Sequence, residues 1–75
     1  MLKFEKFRYT VPDMERAIDE CVVGKKAARN RGILKMRFLE GATYAEIAEA
    51  YQMSDVQITR IIQRYGDPIL LMFVK

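Results

Sequence analysis

The chain has 75 residues, 51% of them apolar and 31% charged, with a net charge of +3; this is ordinary globular composition for one domain, with no disordered or fibrous bias. One cysteine, Cys21, excludes an internal disulfide, and the lack of histidine removes the usual zinc-ligand sets and the common acid–base and nucleophile pairs, so no metal, no cofactor and no enzymatic activity are expected. The longest apolar run, Ile69 to Val74, is far below the roughly 20 residues that span a bilayer.

Residues 1–11 form an N-terminal arm. Met1 to Arg8 carry a charge every two or three residues rather than the apolar core of a secretory signal, so a cytoplasmic location is expected. Leu2, Phe4, Phe7, Tyr9 and Val11 alternate with polar residues as a strand would.

Residues 12–41 read as supporting helices. The first runs from Pro12 to Val22, with Pro12 and Asp13 suited to a first turn and Met14, Ala17, Ile18, Cys21 and Val22 forming one apolar stripe. Cys21 lies on that stripe, as a small packed residue and not a reactive one. The second helix runs from Lys26 to Glu40 and becomes apolar on several sides through Ile33, Leu34, Met36, Phe38 and Leu39, which makes it the central helix. Gly32 inside it implies a kink or a close helix contact. Gly24, Gly41 and Gly66 each follow a periodic segment and read as helix stops.

Charge is distributed unevenly over this region. Between Val23 and Leu39 stand Lys25, Lys26, Arg29, Arg31, Lys35 and Arg37 with no acid among them, while Asp13, Glu15, Asp19 and Glu20 precede them and Glu40, Glu46, Glu49 and Asp55 follow. Such a block is the footprint of a phosphate-contacting face, or simply of a solvated helix face; charge alone leaves both open.

Residues 44–65 carry the clearest signal. Thr43-Tyr44-Ala45-Glu46 fits a capping box, and Tyr44, Ile47, Ala48 and Tyr51 give the stripe of a short helix. Ser54-Asp55-Val56-Gln57 is a second capping box eleven residues later, followed by a new stripe at Ile58, Ile61, Ile62 and Tyr65. Two short helices separated by a turn at Gln52-Met53-Ser54 make a helix-turn-helix. Opposite the second stripe, Val56, Thr59, Arg60 and Gln63 share one face, with side chains suited to guanine, adenine and the thymine methyl group. Residues 67–75 form a C-terminal apolar segment, in which Asp67-Pro68 reads as the opening of a short helix although residues 69–74 would also suit a buried strand.

The stretch from Ile33 to Gly41, followed by Thr43-Tyr44-Ala45-Glu46-Ile47-Ala48-Glu49 and by Met53-Ser54, resembles region 4 of sigma-70-family transcription factors and the small phage and mobile-element proteins that share its arrangement. The resemblance covers about residues 12–65 and implies an all-α, three- to four-helix helix-turn-helix domain with short apolar terminal arms. It implies a buried framework at Ile47, Ala48, Tyr51, Met53, Ile58 and Ile61, and base-contacting positions at Ser54, Asp55, Val56, Gln57, Thr59, Arg60 and Gln63. Two departures stand out: Gln52 occupies a turn position usually held by glycine, and a chain of this length is expected not to be a complete sigma factor.

The function expected is sequence-specific binding of double-stranded DNA by a transcription regulator of phage or mobile-element type, with Lys25, Lys26, Arg29 and Arg64 on phosphates. Helix-turn-helix units generally read two half-sites, so a homodimer is expected, joined through Ile69, Leu70, Leu71 and Phe73 with help from Phe4, Phe7 and Tyr9. The alternative is an interaction module of the same fold that docks on RNA polymerase or another regulator through its acidic residues or apolar tail. No membrane partner is expected.

Overall fold

In the computed structural model, which describes residues 9–73, four helices follow one another: α1 Val11–Cys21, α2 Ala27–Phe38, α3 Tyr44–Tyr51 and α4 Asp55–Leu71. No strand occurs among the described residues. The strand-like alternation expected at Leu2, Phe4 and Phe7 lies outside those residues; Tyr9 is not in a strand, and Val11 already belongs to α1.

Local chemistry accounts for most helix boundaries. Thr10 is extended and its hydroxyl accepts from the Asp13 amide at 3.2 Å, with Asp13 against the positive end of the helix dipole. α1 has no basic residue in its last turn, and Arg31 of α2 supplies the missing charge by donating to the carbonyls of Val22 at 2.8 Å and Asp19 at 2.9 Å. Gly41 (φ 70°) takes the left-handed backbone just past α2, as its position in the sequence implies, whereas α1 ends on an extended Val22 and Gly24 (φ 108°) lies in the loop beyond, its carbonyl accepting from the Ala27 amide at the start of α2.

Both capping boxes form. The Glu46 amide donates to the Thr43 hydroxyl at 3.1 Å while the Glu46 carboxylate accepts from the Thr43 amide at 2.8 Å; at α4 the corresponding bonds between Gln57 and Ser54 are 3.1 and 3.0 Å. The backbone N–H of Thr43, and after it the Thr43 hydroxyl, hold the Glu46 carboxyl below its ordinary pKa.

The core collects one side of each helix: Met14 and Ile18 of α1, Ile33 and Leu34 of α2, Ile47 of α3, and Ile58, Ile62, Ile69 and Leu70 of α4 are wholly removed from solvent. α2, expected to be the central helix, shares that place with α4: each of the two packs against all three other helices. Gly32 marks a close contact, because the Tyr51 hydroxyl occupies the space a β-carbon would need. Cys21 is half-buried, with its thiol 3.6 Å from the Met72 sulfur.

Three expectations for the C-terminal end require correction. Gly66 is not a helix stop: it is buried within α4, where a β-carbon would stand 3.0 Å from the Phe38 ring. Asp67-Pro68 does not open a new helix, since Pro68 lies inside α4 and the second helix of the helix-turn-helix continues past residue 65 to Leu71. Ile69 and Leu70 cannot form a dimer surface, because both are completely buried in the monomer; Leu71 and Met72 remain more than half exposed. Phe73 is half-buried, its ring 5.5 Å from that of Tyr9, whose hydroxyl donates to the Phe38 carbonyl at 2.9 Å. Val74 lies outside the described residues.

A proline in a helix has no amide to offer the carbonyl four residues earlier, here that of Arg64. α4 tolerates this because Ile69 and Leu70, just beyond, are buried, each worth roughly 1.5 to 3 kcal/mol. Pro68 itself is exposed. Pro68→Ala is therefore expected to stabilise the domain by about 1 to 2 kcal/mol, read as a higher midpoint in urea; a lower midpoint would show that the proline itself shapes this end of α4.

Candidate nucleic-acid interface

The turn between α3 and α4 aims the outer face of α4. Gln52 adopts a left-handed conformation (φ 52°, ψ 48°), and its amide and that of Met53 close the end of α3 on the carbonyls of Glu49 (3.3 Å) and Ala48 (2.9 Å). This redirects the chain within three residues, so that Ser54 can cap the next helix. Ile47, Ala48 and Ile58 are buried across the turn, while Tyr51, Met53 and Ile61 are partly buried against the same core.

Of the expected base-contacting residues, Ser54, Asp55, Val56, Gln57, Arg60 and Gln63 are exposed and Thr59 is half-exposed, all on the outer side of α4. Their free hydrogen-bonding capacity differs. The Ser54 hydroxyl accepts from the Gln57 amide and donates to Gln57 Oε1 at 3.3 Å, so its proton is committed to the cap. Gln57 uses its carbonyl in the same cap and keeps its NH2 group for a partner. Thr59 turns its hydroxyl back onto the Asp55 carbonyl at 2.8 Å.

The six basic residues between positions 23 and 39 divide into two groups. Arg31 and Lys35 lie against Asp19 of α1 at 3.9 and 3.4 Å. Arg37 donates to the Ala42 carbonyl at 3.0 Å, with its guanidinium 4.7 Å from the Tyr44 ring. Burial raises the pKa of the Tyr44 phenol, Arg37 acts in the lowering direction, and Asp67 adds to the rise. These three cations serve the fold.

Lys26 and Arg29 face the other way. Together with Met53, Gln57, Arg60 and Ile61 they line a groove of about 230 Å³ between the start of α2 and the first turns of α4. Three of the six lining side chains are cationic and none is acidic. No side chain caps the first turn of α2, and no acid lies in it, so the helix presents its positive end and two cations to the same space. Lys25 is exposed in the preceding loop and does not line the groove; Arg64 is exposed one turn beyond Arg60, with its guanidinium 5.5 Å from the Tyr65 ring.

Sequence reasoning missed Asn30. It is buried, and its Oδ1 accepts from Nε and Nη2 of Arg29 at 3.1 and 3.0 Å, which fixes the guanidinium beside the groove. The available signal was its spacing: Asn30, Ile33, Leu34 and Phe38 share the inner side of α2, and a polar residue at such a position needs a partner.

The family model for sigma-70, region 4 matches residues 27–65, just over half of the chain, from the first residue of α2 to Tyr65 of α4. The chain belongs to this helix-turn-helix family of DNA-binding domains. No curated protein and no solved structure matched it. Among the described residues no helix is long and apolar enough to cross a membrane, and no cluster of three or more cysteine and carboxylate side chains could hold a metal ion.

The left-handed Gln52 sets the turn at a cost that glycine would not incur. Gln52→Gly is expected to raise stability by about 0.5 to 1 kcal/mol, measured by urea unfolding. A decrease would mean that the glutamine side chain stabilises the turn by more than its backbone costs.

Proposed function

We propose that the protein is a sequence-specific binder of double-stranded DNA, acting in the cytoplasm as a transcription regulator of phage or mobile-element type. The observation that carries this reading is the cationic groove, which joins the uncapped, basic start of α2 to the exposed face of α4. In a duplex complex, the phosphate backbone lies along Lys26 and Arg29, with Lys25 and Arg64 at its margins, while the first three turns of α4 enter the major groove. Arg60 then reaches guanine, Gln63 and the Gln57 amide reach acceptors on base edges, and Asp55 accepts from a cytosine amino group.

Selection from random duplexes with the purified chain tests the reading. Against the selected site, Arg60→Ala is expected to weaken binding by about 1 to 3 kcal/mol and to relax preference at one or two positions. Replacing Lys25, Lys26 and Arg29 by alanine should weaken binding to all duplexes alike, lowering the slope of log affinity against log salt by about 0.9 for each phosphate that is no longer neutralised. A folded triple variant with an unchanged slope would remove these residues from the interface.

A single reading helix covers few base pairs, so two copies on paired half-sites complete the proposal. The apolar surface available for their contact is Leu71 and Met72, 59% and 55% exposed at the end of α4. Sedimentation at micromolar concentration is expected to show a dimer that Leu71→Asp dissociates; a monomer under those conditions rules the dimer out. A second reading, docking on RNA polymerase, draws on the exposed carboxylates of Glu40 and Glu49. It requires polymerase binding that survives Arg60→Ala.

A further inference from the structure

On the reading face of α4, Val56 and Thr59 differ from their neighbours in what they offer a partner. They lie three residues apart on the outer side of the helix, one above the other. Val56 is 59% exposed. Thr59 is a hydroxyl residue by name, yet its proton is given to the Asp55 carbonyl at 2.8 Å, so it has no donor left to present and offers its γ-methyl beside an oxygen that can only accept. Ser54, the nearest other hydroxyl, spends its own proton on the Gln57 side chain. The result is a small apolar patch in an otherwise polar face, with Arg60 directly beside it in the sequence.

We propose that Val56 and Thr59 form a methyl-reading patch that selects thymine, through its 5-methyl group, next to the base contacted by Arg60. The inference rests on the DNA-binding reading above and specifies what one part of that face recognises. Thymine is the only base with an apolar group on its major-groove edge; cytosine places an amino donor on the same edge. Against the methyl group the patch removes apolar surface from water. Against the amino group the two methyl-bearing side chains would strip away water and return at most one acceptor, the Thr59 hydroxyl oxygen that faces the Asp55 carbonyl. The same two side chains thus favour one pyrimidine and penalise the other.

Replacing thymine by deoxyuridine deletes only the methyl group and keeps the pairing edge, so it isolates this interaction. Each thymine of the selected duplex is replaced singly, and affinity is measured for the native chain and for Val56→Ala, Thr59→Ser and Thr59→Val, all at outward positions where circular dichroism is expected to show unchanged helicity. The native chain should bind about four-fold more weakly for each methyl group deleted from under the patch, at one or two positions. Val56→Ala should abolish the penalty at one of them. Thr59→Val, which keeps the methyl and lacks the hydroxyl, should retain the discrimination, and Thr59→Ser, which does the reverse, should lose it.

A site bound tightly with no deoxyuridine penalty anywhere overturns the proposal while leaving DNA binding intact. So does the opposite pattern at Thr59, with serine discriminating and valine not, since the hydroxyl would then be the reading group. A chain that retains no duplex in the selection overturns the DNA-binding reading itself, and this inference with it.

Discussion

The ring of Phe38 rests on the backbone of Gly66, where a β-carbon would come within 3.0 Å of Cζ and 3.3 Å of Cε2. Helices that meet through ordinary side chains hold their axes about 8 to 10 Å apart, and a glycine at the crossing lets the aromatic ring sit directly against the opposing helix. A second such approach, the Tyr51 phenol over Gly32, ties α3 to α2. Between them these two glycines lock the helix that begins with Lys26 and Arg29 to the helix that carries Arg60. Core packing thus positions the two helices that supply Arg29, Gln57, Arg60 and Ile61 to the cationic groove, while Lys26 and Met53 join it from the helix cap and the turn.

The same economy governs the polar groups. Arg31 neutralises the end of α1, Lys35 approaches Asp19, and Arg37 ties the loop before α3 to α2. Surface pairs of this kind contribute only about 0 to 1 kcal/mol, but they give half of the basic block partners within the fold. What is left to a partner is the smaller set at the start of α2 and along α4, where Arg29 is steadied by a buried asparagine. A net charge of +3 understates the field at the groove, because none of the acidic residues that enter the sum lines it.

Much of this was legible in the sequence, and the parts that were not share a cause. The paired capping boxes at Thr43–Glu46 and Ser54–Gln57 fixed the starts of α3 and α4 to the residue, because a cap is a local chemical device. Gln52, which departs from the glycine usual at its turn position, takes the left-handed conformation all the same. Gly66 misled because a glycine ending a helix and a glycine receiving a ring look alike until the ring's position is known. Pro68 misled for a related reason: the local preference against proline in a helix was outweighed by burial of Ile69 and Leu70, which depends on α1 and α2 being in place. The division of the basic block was hidden in the same way, since Asp19 and the end of α1 meet Arg31 and Lys35 only in the folded chain.

The continuity of α4 through Gly66 and Pro68 gives the domain a rigid strut. With a rise of about 1.5 Å and a turn of about 100° per residue, Leu71 stands about 16 Å along the axis from Arg60 and within about 20° of the same azimuth. Its exposed side chain points to the side on which Arg60 would meet a duplex, so a second molecule held at Leu71 would share that side with the DNA instead of lying behind the domain. Distance and phase between the two are written into one helix: deleting a single residue between them would swing Leu71 through about 100° while leaving the chemistry at both ends unchanged.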